Sequence, residues 1–256
     1  MEWLNSLQGW QQALFATTIT WALTAAGAAL VFFFKKVNDK SFAFTLSFAA
    51  GIMLASTFFS LLLPAVESGG KFAFITVSLG FALGGALMII CDLLITKSSK
   101  NNNVNKSKNT SLCIAVTVHN IPEGLVVGVA FGAASLNGTI SVFSALVVAI
   151  GIAIQNFPEG MCIAFPLRAN GASRFKSFFF GQISGIVEIF AGVLGALAVN
   201  FISGILPWAL SFSAGAMVAV VCSELIPESF KNGKILATVG VIIGFIVMMV
   251  LDVALG

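Results

Sequence analysis

The chain has one histidine, and it stands in HNIPEG at 119–124, inside the apolar run TVHNIPEGLVVGVAFG. Thirty-six residues later QNFPEG at 155–160 repeats most of that arrangement, again in apolar surroundings. Helix positions i, i+3 and i+4 share a face. His119 and Glu123 therefore stack one turn apart, with Asn120 joining Glu123 at i+3; Gln155, Asn156 and Glu159 repeat the pattern. A third carboxylate, Glu188, interrupts the apolar run GQISGIVEIFAGVLG. One imidazole, three carboxylates and several amide oxygens suit a borderline divalent cation such as Zn²⁺, Fe²⁺ or Mn²⁺. Pro122 and Pro158 have no N–H to offer Val118 and Ile154, so each helix is expected to kink and free carbonyls into a polar cavity. Gly124 and Gly160 would let another backbone, or an ion, come close.

The elements that carry these residues are set by composition. The 256 residues are 58% hydrophobic and 9% charged, against about a quarter charged in soluble domains. Lipid is the expected surroundings. Eight stretches are long enough to cross hydrocarbon, at 12–34, 42–63, 72–96, 112–135, 140–166, 175–200, 203–226 and 234–255. They do not alternate in polarity as barrel strands would. The expectation is an all-α integral membrane protein, one polytopic domain over 1–256.

Eight spans put twelve of the thirteen basic residues on one side, leaving Lys71 alone on the other. Short basic loops stay cytoplasmic, so both termini are expected on the outer side. The low-complexity stretch at 97–111 reads as a solvated cytoplasmic loop. MEWLNSLQGWQQ lacks the basic start of a cleaved signal peptide. Glu123, Glu159 and Glu188 lie 15, 9 and 12 residues from the nearest cytoplasmic basic residue, which places all three roughly 14–22 Å deep. Carboxylates meeting there need a cation between them.

HNIPEG, QNFPEGMCIAFPL, GQISGIVE and SAGAMVAVVCSELIPES together resemble segments of the ZIP (Zrt/Irt-like) family of divalent metal transporters, the bacterial branch in particular. The resemblance covers essentially the whole chain. It implies an inverted 3+2+3 repeat bundle with the metal site between helices 4, 5 and 6. It implies two adjacent metal sites: His119, Glu123, Gln155 and Glu159 in one, and Asn120, Glu123, Asn156, Glu159 and Glu188 in the other, with both helix 4–5 glutamates bridging. The cargo would be Zn²⁺ or a similar divalent ion (Fe²⁺, Mn²⁺, Co²⁺, Cd²⁺), moved through the cell inner membrane into the cytoplasm.

Asn156 stands where some relatives carry aspartate, Ile189 where a proline often follows, and Ser223 where many carry histidine or glutamate. The 97–111 stretch lacks the histidine cluster common in the family. An intramembrane metalloenzyme is the alternative, but one histidine cannot make an HExxH motif, so the expectation is a non-enzyme. Nucleic acid is not an expected partner; a homodimer stays among the allowed assemblies.

Overall fold

The computed structural model describes residues 2–34, 38–100, 104–137, 141–201, 204–231 and 233–255. Among them there are helices and no strands. Eight helices are long and apolar enough to cross a membrane: α1 Gly9–Phe32, α2 Asp39–Ser68, α3 Gly70–Leu94, α4 Val116–Leu136, α5 Val142–Ala169, α6 Arg174–Val199, α7 Ile205–Phe230 and α8 Lys234–Ala254. Local chemistry starts several of them. Asn38 accepts the Lys40 N–H ahead of α2, Ser141 the Ser144 N–H ahead of α5, and Ser173 the Lys176 N–H ahead of α6. Each satisfies a donor that the first helical turn cannot.

Four pairs dominate the packing: α1 with α5, α2 with α8, α3 with α7, and α4 with α6. Partners in each pair run parallel. The α4–α6 contact advances from Gly124 beside Glu188, through Gly128 beside Gly192, to Gly132 beside Ala196. The core sits between α2, α4, α5 and α7, whereas only 22% of α3 and of α8 is buried.

Three features of the helices bear on the sequence expectation. Neither Pro122 nor Pro158 interrupts its helix. The irregularities lie elsewhere: α6 breaks at Ser184–Gly185, and α2 and α7 contain widened π-type turns at Thr57–Leu62 and Val221–Leu225. Pro64 and Pro227 follow those turns directly. A residue without an N–H is accommodated by the extra residue the wide turn takes up. Finally, the stretch expected as a loop at 97–111 is helical over its described residues, because helices extend over Ala73–Lys100 and Val104–Asn137. Its Lys, Asn and Ser residues include no proline or glycine to stop a helix already formed inside the apolar spans.

Candidate metal centre

α4, α5 and α6 meet where their buried polar residues fall together. Asn120, Glu123, Gln155, Asn156, Glu159 and Glu188 are all buried. The close approach that unites these helices depends on glycine. A Cβ on Gly124 would stand 2.4 Å from the Glu188 carbonyl oxygen, and one on Gly160 would stand 2.0 Å from that of Thr24. Both glycines therefore admit a neighbouring backbone, the first of the two roles the sequence left open.

Two amides tie the carboxylates together. Gln155 Nε2 donates to Glu123 Oε1 at 2.6 Å. Asn156 Nδ2 donates to both oxygens of Glu188, at 2.9 and 2.8 Å. Glu123 and Glu159 stand close enough for their charges to interact. Two carboxylates at that range repel unless a proton or a cation lies between them. Among the described residues the one ion pair is Lys231–Glu228, at the end of α7, so no Lys or Arg neutralises the centre. Five buried oxygens here accept from no N–H or O–H donor among the described residues: Asn120 Oδ1, Glu123 Oε2, Gln155 Oε1, Asn156 Oδ1 and Glu159 Oε2. Leaving buried acceptors unmet costs about 1–3 kcal/mol each. A small hard-to-borderline cation is the ligand that such an oxygen set would satisfy.

Not every residue picked out by the sequence joins the cluster equally. Asn120 donates to the Ser184 carbonyl at 3.1 Å, bracing the break in α6. The side chain of His119 lies outside the described residues. Among the described residues no three His, Cys, Asp or Glu side chains have metal-holding geometry by themselves.

One participant went unrecognised in the sequence. Thr20 of α1 donates to Glu188 Oε2 at 2.6 Å, so that carboxylate is held from two helices. Thr17, Thr20 and Thr24 line one buried face of α1 at helical spacing. That stripe was the available signal, and it reads equally well as hydroxyls bonding back to their own helix, as Thr17 does to Ala13 O. A cavity of about 230 Å³ borders Glu159, Cys162, Glu224 and Glu228, and so connects the cluster with the Lys231 end of α7.

Comparison with known proteins follows this geometry. The family model described as ZIP Zinc transporter matches residues 110–252. The chain is similar to human zinc transporter ZIP11, at 39% identity over 96% of this chain and 97% of that one. It is similar to zinc transporter GufA of Myxococcus xanthus, at 34% identity over 95% and 98% of the two chains. Zinc transporter ZIPB of Bordetella bronchiseptica is 32% identical over 92% of this chain and 78% of its own.

Proposed function

The chain belongs to the ZIP zinc transporter family, a multi-pass membrane protein and not an enzyme, and from that premise we propose that it carries Zn²⁺-class divalent ions into the cytoplasm through the α4–α5–α6 cluster. The carrying observation is three buried carboxylates from three helices with no basic side chain beside them among the described residues. A carboxylate at membrane depth costs about 3 kcal/mol on insertion scales. A passing dication offsets that cost for the time it is bound.

His119, Glu123, Gln155 and Glu159 make one station in this reading, and Asn120, Glu123, Asn156, Glu159 and Glu188 make the other. Glu123 and Glu159 serve both. Gln155 and Asn156 turn N–H toward the Glu123 and Glu188 carboxylates and so tie the cluster together. Rotating each amide would present its unpartnered oxygen to an incoming ion. The metal is cargo, so the shell is built from replaceable amide contacts and contains no thiolate. Both termini stand outside, and the inverted 3+2+3 arrangement supplies the alternating access that a mid-membrane site requires.

The test is uptake of Zn²⁺, Mn²⁺ and Cd²⁺ into liposomes containing the purified protein. Flux is expected for wild type and should vanish in the Glu123→Gln, Glu159→Gln double variant. Flux that survives in the double variant would overturn the assignment.

A further inference from the structure

Two distant parts of the sequence are copies. Gly80, Gly84, Met88 and Asp92 of α3 recur at the same spacing as Gly240, Gly244, Met248 and Asp252 of α8. SFAAGIMLA at 47–55 of α2 recurs as SFSAGAMVA at 211–219 of α7. The packing repeats with the letters. A Cβ on Gly80 would meet Ser211 Oγ at 2.1 Å, and one on Gly240 would meet Ser47 Oγ at 2.0 Å. On Gly84 it would meet the Phe212 carbonyl at 1.8 Å, and on Gly244 the Phe48 carbonyl at 2.1 Å. Burial follows the same map, at 39% for α1 and α6 and 22% for α3 and α8. A shift of five spans reverses the direction of crossing, so the copies are related by inversion.

The copies differ where α2 meets α8 and α7 meets α3. Ser60, four residues before Pro64 and inside the widened turn of α2, donates to Asp252 Oδ1 at 2.6 Å. Its mate Ser223 stands four residues before Pro227, inside the widened turn of α7. Ser223 shares a cavity of about 350 Å³ with Asp92, yet among the described residues no hydrogen bond joins the two. Glu224 is near enough to Asp92 for their charges to interact. The position matching Glu224 in the other copy is Leu61, so like-charge repulsion favours opening on one side only.

The cavities agree with the contacts. On the Asp92 side, the 230 Å³ cavity borders Cys162 and reaches Glu159. On the Asp252 side, a cavity of about 550 Å³ borders Ser60, Leu210 and Ala130 but none of the central ligands. Val126 occupies in HNIPEGLVV the place that Cys162 occupies in QNFPEGMCI, and it is fully buried.

We propose that Ser60–Asp252 and Ser223–Asp92 are the paired latches of an alternating gate. Each closes as the other opens, and the wide turns before Pro64 and Pro227 are the hinges. The protein here has the Asp252 latch shut and the Asp92 latch open. These are positioning residues that act through the helices they join. The inference rests on the transport reading above, because a gate is needed only if the central site must face two sides in turn.

The test compares maleimide labelling at Cys162 with that at Val126→Cys in reconstituted, metal-free protein, with Cys91, Cys113 and Cys222 changed to serine. Cys162→Ser is added when Val126→Cys is read. With the latch intact, Cys162 is expected to react and Val126→Cys to stay protected. Ser60→Ala and Asp252→Asn should each raise the Val126→Cys rate about fivefold or more, the scale of one lost hydrogen bond, and slow Cys162. Ser60→Thr, which keeps the hydroxyl, should restore protection, and Asp92→Asn should not raise the Val126→Cys rate. Unchanged rates, or both sites speeding up together as in a loosened fold, would overturn the proposal. Because labelling needs no metal, exchange of reactivity without flux keeps the gate and removes the transport reading; flux without exchange does the opposite.

Discussion

HNIPEG and QNFPEG are nearly the same peptide on antiparallel helices, yet their asparagines do different work. Asn156 grips the Glu188 carboxylate through both oxygens, whereas Asn120 grips the Ser184 main chain. The cause lies in their neighbours. Gly124 packs on α6 at Glu188, and Gly160 packs on α1 at Thr24. One half of the molecule thus offers a carboxylate where the other offers a hydroxyl. A repeated motif becomes a one-sided centre because its surroundings are not repeated.

The comparison is broken most severely at the shared glutamates. Glu159→Gln should lower initial Zn²⁺ flux about 100-fold or more, at the upper end of what loss of a metal-site contact costs, and Glu123→Gln should do the same, as measured in liposomes. Next is Thr20→Val, which removes a hydrogen bond to a charged group worth about 1.5–3 kcal/mol. Zn²⁺ affinity by calorimetry should fall roughly tenfold, while Thr17→Val, whose hydroxyl among the described residues bonds within α1, should leave it unchanged. Equal effects would place Thr20 in packing alone.

The two asparagines then separate by size. Asn156→Asp sets a second carboxylate against Glu188. It should lower the melting temperature without metal and raise Zn²⁺ affinity about tenfold, because the added charge is repaid only by a cation. Asn120→Asp loses the donation to the Ser184 carbonyl, so it should lower the melting temperature further and gain less affinity than Asn156→Asp. The mildest change is Gln155→His, expected to narrow uptake toward Zn²⁺ over Mn²⁺ by a few fold, as imidazole suits Zn²⁺. Unchanged selectivity in competition assays would take Gln155 out of the coordination shell.

Much of this was legible before any coordinates. Length and hydropathy determine the count of eight spans, since lipid leaves a spanning chain few alternatives. The carboxylates could be matched in depth by counting residues, because a helix rises uniformly. What stayed hidden depends on contacts between distant segments. Thr20 looks like any hydroxyl in an apolar helix until α6 is placed beside it. Asp252 reads as an interfacial residue, and only the packing of α2 on α8 brings Ser60 to it. The prolines add something the sequence did not offer: Pro122 and Pro158 lie within continuous helices, and widened turns stand ahead of Pro64 and Pro227. The described residues of the 97–111 stretch extend the flanking helices, since polar residues need not unwind a helix that a membrane span has already nucleated.

The interruption at Ser184–Gly185 starts a new helix at Ile186, and Glu188 falls in its first turn. The start of a helix carries about half a positive charge from its aligned peptide dipoles. A lone aspartate or glutamate deep in lipid would ordinarily need a full cation beside it. Here the main chain itself supplies part of that compensation to the buried Glu188 carboxylate.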